Sequence, residues 1–257
     1  MSNWASHVSG LVLSFVKICT NGKPSAKWVP KCLNADQKRQ RCQSSEQLLE
    51  YFRRDPNDFL SRLVTMDEIW LYHYYPETKQ RSVEWWHTGS PRPKKFRVQK
   101  SAGKVLDSIF WDQDGILLTD YLPKGQTINE EYYSSLLVQL KDILMENRRG
   151  KVKKGVLFLH DNSPAHRALA TQKKLVYLGF HCLGHPPYSP DLAPSDYHLF
   201  PGLKKQLKCR HFSSDAEVIV AAETWLNGQP SDFFLSGLQK LEQWAKKCIE
   251  LSREYVE

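Results

Sequence analysis

The sequence predicts an α/β fold in which a mixed sheet is flanked by helices. Short runs rich in β-branched and aromatic residues alternate with longer segments whose apolar residues recur at helical spacing. The run Val156–Leu159 is apolar throughout and lies between Gly155 and a polar segment that starts at His160. A short, continuous apolar run of this kind is typical of a strand buried on both faces, which needs helices on both sides of the sheet.

The composition indicates one sizeable core and a polyanionic partner. A chain of 257 residues with 41% hydrophobic and 12% aromatic residues can bury a single large core. The net charge of +8 and the isoelectric point of about 9.1 favour binding to a polyanion.

The cysteines and the apolar runs argue against several classes of protein. The six cysteines form no C-x-x-C pair, which is typical of reduced thiols in an intracellular protein and not of a disulfide framework. No apolar run reaches the ~20 residues that cross a bilayer. The mildly apolar residues 8–18 have no lysine or arginine before them and no clear cleavage site, so we expect no signal peptide.

The sequence divides into three regions. Residues 1–27 show no clear periodicity and remain unassigned. Residues 28–57 are predicted to form a linker or dimerisation arm: their helix starts with a capping box at Asn34, ends near Arg54, and carries apolar residues only near its end. Residues 58–257 contain the whole predicted sheet and form the main domain.

The first strand carries two adjacent acids. Residues 63–72 are rich in β-forming side chains, and Asp67 and Glu68 lie in the middle of this run. Because neighbouring side chains of a strand point to opposite faces, only one of the two acids can face a shared site. Asp67 shares its face with Thr65 and Ile69, and we interpret Glu68 as structural.

A basic, proline-bearing loop follows this strand. Residues 83–86 are a candidate second strand, and residues 89–104 form a loop with two prolines. Such a loop is typical of an arm that contacts a phosphate backbone, with an ordinary solvated loop as the alternative. The residues of this loop predicted to bind DNA phosphates are Arg92, Lys94, Lys95, Arg97, Lys100 and Lys104.

A hairpin and a helix are predicted next. Residues 105–111 and 116–122 are β-forming and are joined by a turn in which Asp112 and Asp114 act as turn carboxylates. Apolar residues recur at helical spacing over residues 128–147, which predicts a helix there.

The central strand runs into Asp161. A carboxylate at this position is costly to bury unless a partner takes up its charge, and functional groups are common at strand ends of α/β sheets. A helix through Leu178 and a short strand over residues 180–183 are predicted to follow. Two amphipathic helices, over residues 215–226 and 231–250, close the chain.

A third acid lies at the start of a helix. The proline-rich residues 186–194 lead to Ser195, which is predicted to cap the helix and to place Asp196 in its first turn. The backbone dipole favours an ionised carboxylate at that position. Asp191, within the proline-rich segment, is interpreted as the cap of a turn. The basic residues on the polar side of the helix, also predicted to bind DNA, are Lys204, Lys205 and Lys208.

The acids Asp67, Asp161 and Asp196 have the arrangement of RNase H-like nucleotidyl transferases: one on a first strand, one after a central strand and one at a helix start. Breaking or joining a phosphodiester uses two metal ions ~4 Å apart, and Mg²⁺ prefers oxygen ligands. We therefore predict that the three carboxylates converge and bind two such ions. His160 and Asn162 are predicted to support them through hydrogen bonds.

Two zinc sites are the alternative for the histidines. His160 and His166 could form one pair, and His181, Cys182 and His185 could form another set. Neither group completes a tetrahedral set at the usual spacing, so zinc is the weaker hypothesis.

The sequence resembles mariner-type DNA transposases from about Trp28 to its end. Asp161 and Asp196 have 34 residues between them, which is the spacing of that family with Asp as the third acid. Each motif alone is a weak signal, and together, in this order, they are a strong one. The motifs are Trp28-Val29-Pro30 with Leu33, Thr65–Glu68, Trp111–Gly115, His160–Asn162 with His166, and Tyr188–Phe200.

The resemblance implies an RNase H-like, retroviral integrase-like core that uses Mg²⁺ or Mn²⁺ to cleave double-stranded DNA and transfer the cut strand in the nucleus. It also implies a homodimer that assembles through a linker containing Trp28-Val29-Pro30. The chain departs from the family in two places. Lys31-Cys32-Leu33 stands where the family has His-Glu-Leu, and the paired helix-turn-helix domains that read transposon ends do not match residues 1–27.

Two functions follow from these observations. The first is the catalytic domain of a mariner-type transposase, with a three-Asp site. The alternative is a domesticated, transposase-derived module for DNA binding or assembly that has little or no transposition activity. The intact acids favour the first function, and the unmatched N-terminal segment favours the second.

Overall fold

A five-stranded mixed sheet forms the centre of the protein. The computed structural model describes residues 33–74, 103–208 and 210–251. Its strands lie in the order β3-β2-β1-β4-β5, with β1 antiparallel to β2 and parallel to β4. The mixed α/β sheet predicted from the sequence is confirmed. The strands are β1 (Leu63–Tyr72), β2 (Lys104–Asp112), β3 (Gly115–Leu122), β4 (Val156–Leu159) and β5 (Phe180–Leu183).

Helices cover both faces of this sheet. Those before β4 are α1 (Ala35–Arg54), α2 (Pro56–Arg62), α3 (Glu130–Asn147) and α4 (Arg149–Lys154). Those after it are α5 (Pro164–Arg167), α6 (Leu169–Tyr177), α7 (Phe200–Leu207), α8 (Asp215–Asn227) and α9 (Ser231–Glu250). A 3₁₀ turn over Pro190–Leu192 and a π-helical turn over Ser195–Leu199 precede α7. Within the described ranges, no helix has the length and apolar character needed to cross a membrane.

The side chains of β1 supply two separate hydrophobic cores. Val64 and Met66 pack with Phe158 and the apolar face of α3. Ile69 and Leu71 face the other side, into a core that includes residues of α1, α7, α8 and α9. This division follows from the pleat of the strand, and fully burying each of these side chains stabilises the fold by about 1.5–3 kcal/mol.

The β2–β3 hairpin closes as predicted, with Asp112 as a turn carboxylate. Its Oδ1 accepts hydrogen bonds from the backbone N–H groups of Asp114 at 2.9 Å and of Gly115 at 3.2 Å. Gly115 has a φ of 148°, a conformation that favours glycine. Asp112 is also fully buried, and its Oδ2 accepts a hydrogen bond of 2.6 Å from Lys151 Nζ. The sequence did not predict this ion pair, which ties α4 to the hairpin.

Helix α1 begins with the predicted capping box and ends, as predicted, at Arg54. Asn34 Oδ1 accepts a hydrogen bond of 2.8 Å from the backbone N–H of Gln37, and Gln37 Oε1 accepts one of 3.1 Å from the backbone N–H of Asn34. The apolar residues near the end of this helix, which is predicted to belong to a linker or dimerisation arm, dock on the main domain. Leu48 and Phe52 are buried in the core that α1 shares with α9.

A buried ion pair docks the polar half of α1. Arg41 is fully buried and donates two hydrogen bonds to Asp191, one of 2.8 Å to Oδ1 and one of 2.6 Å to Oδ2. Such bidentate, charge-assisted bonds are among the strongest in proteins. Asp191 is predicted to cap a turn; in the structure both of its carboxylate oxygens bind Arg41. The pair joins α1 to the 3₁₀ turn that precedes α7.

Some predicted features lie outside the described residues. They are the unassigned segment 1–27, the linker residues Trp28, Val29 and Pro30, the candidate strand 83–86, and most of the basic loop. The loop residues concerned are Arg92, Lys94, Lys95, Arg97 and Lys100. The roles given to these residues stay predictions.

Breaking the Arg41–Asp191 pair from one side should destabilise the protein. In Asp191→Ala the guanidinium of Arg41 stays buried without this carboxylate, and we expect the free energy of unfolding to fall by about 3–5 kcal/mol. The double variant Arg41→Met, Asp191→Leu should recover most of the loss, because an apolar pair needs no charge partner. Urea unfolding measures both effects.

The exposed pair of Arg39 and Asp36, whose charged atoms are 3.9 Å apart, provides the control. Asp36→Ala should change the free energy of unfolding by less than about 1 kcal/mol. Equal losses in Asp191→Ala and Asp36→Ala would contradict the role given to the buried pair.

Candidate active site

The three acids predicted from the sequence line one cavity of about 530 Å³. Asp67 comes from β1, Asp161 from the segment that follows β4, and Asp196 from the π-helical turn before α7. Arg167 of α5 and residues 185–190 supply much of the remaining wall. The structure thus brings together three carboxylates that are far apart in the sequence.

The parallel pairing of β1 with β4 sets Asp67 and Asp161 beside each other. Thr65 of β1 pairs with Leu159, the last residue of β4. Because parallel strands advance in the same direction, the two residues that follow Leu159 bring Asp161 level with Asp67. Asp161 therefore lies where the chain leaves the buried sheet, a position at which side chains can meet a ligand.

A buried contact of the preceding residue holds Asp196 in place. Ser195 is buried, and its hydroxyl oxygen accepts a hydrogen bond of 3.0 Å from Trp111 Nε1 on β2. The prediction that Ser195 caps the helix is therefore wrong: the turn begins after Pro194, and no side chain caps it. The backbone N–H of Asp196 donates to the carbonyl of Ala193 at 3.0 Å. Single π-helical turns of this kind are frequent at functional sites.

His166 links Asp161 to Glu68. Its Nδ1 lies 2.6 Å from Asp161 Oδ1, and its Nε2 lies 3.2 Å from Glu68 Oε1. Nδ1 is hydrogen-bonded to Asp161 and Nε2 lies at ion-pair distance from Glu68, an arrangement of one ring between two carboxylates that favours the imidazolium form. Burial alone would lower the pKa of His166, but the two carboxylates raise it to about 9. The backbone N–H of Ser163 donates to the same oxygen of Asp161 at 3.0 Å.

Glu68 is the residue of this cluster that the sequence analysis missed. The pleat of β1 separates it from Asp67, which favours a structural role, and yet it reaches Asp161 through His166. The ligand atoms of Glu68, Asp161 and His166 all lie within 4.8 Å of one another, which is close enough for a metal site. The imidazolium ring itself, however, occupies the place of a cation between the two carboxylates. The feature of the sequence that could have indicated this cluster is the histidine five residues after Asp161.

Tyr133 supports two histidines from α3. The centroid of its ring lies 3.9 Å from that of His166, and its hydroxyl lies 2.8 Å from His160 Nδ1. Burial, together with the charge of His166, lowers the pKa of His160 to about 3, so this ring is neutral. Asn162 donates its side-chain N–H to the backbone carbonyl of His185. Within the described residues, the hydrogen bonds of His160 and Asn162 therefore go to Tyr133 and His185, and not to the three acids.

The zinc alternatives are not supported. Among the residues that the structure describes, Glu68, Asp161 and His166 form the only group of three or more ligating side chains at metal-binding spacing. His181, Cys182 and His185 form no such group, and neither does a set built on His160 and His166 without the two carboxylates.

Burial and mutual repulsion shape the charges of the three acids. Burial, with the charges of Asp196 and Glu68, raises the pKa of Asp67 well above its usual range. Burial also raises the pKa of Asp196, and Lys204 opposes this only in part, so the predicted effect of the helix dipole is outweighed. Burial acts in the same direction on Asp161, but the hydrogen bond from His166 prevails and lowers its pKa to about 2.

This arrangement fits a divalent cation. Crowded carboxylates that repel one another are stabilised when a cation binds between them. Carboxylate oxygens such as those of Asp67, Asp161 and Asp196 are the donors that Mg²⁺ and similar hard cations prefer. The residues present therefore suit the cofactor that the sequence predicts.

Four of the basic residues predicted to contact phosphates lie in the described ranges. Lys204 and Lys205 are exposed on α7, and Lys208 follows the end of that helix. Lys104 starts β2, and its Nζ lies 3.7 Å from the ring centroid of Trp70. Since α7 begins directly after the turn that carries Asp196, its lysines lie close in sequence to the cavity.

Proteins similar in sequence include a transposase and a methyltransferase. A family profile described as transposase (partial DDE domain) matches residues 75–154. The mariner Mos1 transposase of Drosophila mauritiana is 34% identical over 233 residues, which cover 90% of this chain and 66% of that protein. The histone-lysine N-methyltransferase SETMAR of Homo sapiens is 33% identical over 233 residues, 90% of this chain and 33% of that protein. The chain thus spans only part of both relatives.

Solved structures of Mos1 transposase share the fold. The crystal structure of its catalytic domain matches with a TM-score of 0.74 and 32% identity, covering 90% of this chain and 100% of that one. The pre-cleavage Mos1 transpososome matches with a TM-score of 0.83 and 32% identity, covering 96% of this chain and 72% of that one. The RNase H-like fold predicted from the sequence is confirmed.

Removing the hydroxyl of Ser195 should destabilise the segment that carries Asp196. In Ser195→Ala the buried N–H of Trp111 loses its acceptor, and we expect the free energy of unfolding to fall by about 1–3 kcal/mol. Ser135→Ala is the matched control, because the Ser135 hydroxyl is exposed on α3 and should matter by no more than about 0.5 kcal/mol. Urea unfolding compares the two variants. A loss in Ser195→Ala no larger than that in Ser135→Ala would show that the Trp111 bond contributes nothing.

Proposed function

The chain belongs to the mariner-type DNA transposases, and we propose that it is a metal-dependent catalytic domain that cleaves double-stranded DNA and transfers the cut strand. The observation that carries this proposal is that Asp67, Asp161 and Asp196 line one cavity. Their positions match those that RNase H-like chemistry requires: a first strand, the end of a neighbouring strand and a helix start.

Some residues of the cavity are proposed to bind the cofactor, and another is proposed to bind the substrate. Mg²⁺ or Mn²⁺ ions would be held by Asp67, Asp161 and Asp196 and would supply activation of the attacking oxygen and stabilisation of the leaving oxygen. Asp161 offers Oδ2 to this site, because Oδ1 is already bonded to His166 and Ser163. Arg167, on the wall of the same cavity, is suited to pair with a phosphate oxygen.

Basic residues near Asp196 are proposed to hold the DNA backbone. The net charge of +8 and the exposed lysines of α7, Lys204 and Lys205, support phosphate contacts. The similar Mos1 transposase has been solved in a paired-end complex with a left transposon end, and in paired-end complexes with Mn and with Mg. These complexes support DNA as the partner of this chain and a divalent metal as its cofactor.

The assembly and the cellular location of the chain are also proposed from the family resemblance. We propose that the chain forms a homodimer through the segment that contains Trp28-Val29-Pro30, and that it acts on DNA in the nucleus. The large apolar side chain of Trp28 in a polar stretch supports the first proposal, because such an anchor is usually buried against a partner.

A second candidate function is supported by the similarity to the methyltransferase. The region similar to this chain makes up 33% of SETMAR, which is named as a histone-lysine N-methyltransferase. The chain is then a DNA-binding or assembly module derived from a transposase, with little or no transposition activity. The retained acids Asp67, Asp161 and Asp196 favour the enzyme over this alternative.

Removing one of the three acids should abolish the activity. The chain should nick supercoiled plasmid in Mn²⁺ or Mg²⁺ and not in EDTA. Asp161→Asn removes a proposed cation ligand and should lower the nicking rate more than about 100-fold, because the bound ions supply several kcal/mol of transition-state stabilisation. Gel separation of nicked and supercoiled plasmid gives the rates.

Asp142→Asn makes the same chemical change on the exposed surface of α3 and should nick like the parent chain. Metal-dependent nicking that survives in Asp161→Asn would rule out the proposed site. Absence of nicking in a folded, DNA-binding parent chain would favour the second function.

The affinity for DNA should fall as the salt concentration rises. This salt dependence should become less steep when an α7 lysine is removed. Each phosphate contact contributes a slope of about 0.9 in a plot of log affinity against log salt concentration. Lys205→Ala should therefore reduce the slope by about 0.9, as measured by fluorescence anisotropy on a random duplex. Lys153 is an exposed residue that precedes β4, at the end of the strand away from Asp161. Lys153→Ala should therefore leave the slope unchanged. Equal slopes for Lys205→Ala and the parent chain would remove Lys205 from the interface.

A further inference from the structure

The imidazole of His166 is clamped on both sides in a way that the three-acid mechanism does not use. The side chain of His166 has no exposed surface. One ring nitrogen lies 2.6 Å from Asp161 Oδ1 and the other lies 3.2 Å from Glu68 Oε1. Tyr133 packs against the ring with centroids 3.9 Å apart. The ring can therefore neither turn nor slide without breaking a buried contact.

The clamp fixes the orientation of the Asp161 carboxylate. A free aspartate rotates its terminal carboxylate over a broad range of angles. Asp161 Oδ1 is bonded twice, to the imidazole of His166 and to the backbone N–H of Ser163 at 3.0 Å. This leaves Oδ2 as the oxygen available to a ligand in the cavity. Glu68 pairs with the other ring nitrogen of His166, Nε2, and so stabilises the imidazole that occupies Oδ1.

We propose that His166 is the positioning residue of the metal site, and that Glu68 acts through it to aim Oδ2 of Asp161 at the cation. The inference rests on the proposed function, because it presupposes that Asp161 is a cation ligand. Hydrogen-bonded partners behind metal ligands orient them, and their removal typically weakens metal binding by about 10–100-fold.

A stabilising role alone would give a different result. Removing the imidazole alone leaves Asp161 and Glu68 without their shared partner, so a loss of stability does not by itself distinguish the two roles. His166→Phe keeps an aromatic ring against Tyr133 and removes both N–H donors. A purely structural role of His166 would leave the cation affinity of the folded variant unchanged, whereas a positioning role lowers that affinity.

The experiment measures Mn²⁺ binding to the full chain by electron paramagnetic resonance, without DNA and without turnover. We expect His166→Phe to bind Mn²⁺ about 10–100-fold more weakly than the parent chain, and Glu68→Gln to bind it about 10-fold more weakly. The double variant should be no weaker than His166→Phe, because Glu68 acts through the imidazole. Glu146→Gln, exposed on α3, is the matched control and should bind like the parent.

The outcomes separate this inference from the proposed function. Parent-like or tighter Mn²⁺ binding by folded His166→Phe overturns the inference alone. A parent chain that binds no Mn²⁺, or binding that Asp161→Asn leaves intact, overturns the proposed function and the inference with it. Thermal unfolding in the absence of metal reports the fold of each variant. If His166→Phe does not fold, Glu68→Gln decides: an affinity loss of about 10-fold supports the inference, and parent-like affinity overturns it.

Discussion

The parallel pairing of β1 with β4 is the constraint on which the site depends. It fixes Thr65 opposite Leu159, and so brings Asp161 level with Asp67. The pairing is stable because both strands are covered by apolar side chains on both faces. The hydrophobic packing of the sheet thus holds the two acids together and offsets the unfavourable electrostatic energy of their proximity.

Polar contacts made by residues of the same sheet and of α1 position the third acid, Asp196, near this pair. Trp111 of β2 holds Ser195, next to Asp196, and Arg41 of α1 holds Asp191 in the turn before it. Both contacts are buried and directional, so they fix the path of an irregular segment that a hydrophobic core alone would leave adjustable. The segment before α7 therefore takes its conformation from distant elements of the fold.

Local patterns predicted much of this architecture. Residues 63–72, the hairpin around Asp112 and the capping box at Asn34 formed as expected, because alternation, turn chemistry and capping are encoded within a few residues. The three acids were found by their places on those elements. The pairs that the sequence did not reveal join distant residues: Arg41 and Asp191 are 150 positions apart, and Glu68 meets His166 only once the sheet has formed. Such partners leave no periodic signal, since tertiary geometry selects them.

Diffraction with Mn²⁺ can show directly whether Asp67, Asp161 and Asp196 form one cation site. Crystals of the chain soaked in Mn²⁺ and measured at the manganese absorption edge locate the ion by its anomalous scattering. We expect anomalous density about 2.0–2.6 Å from carboxylate oxygens of all three residues, with the His166 ring still between Glu68 and Asp161. Density between Glu68 and Asp161 with the imidazole displaced, or none at the three acids, would contradict this expectation.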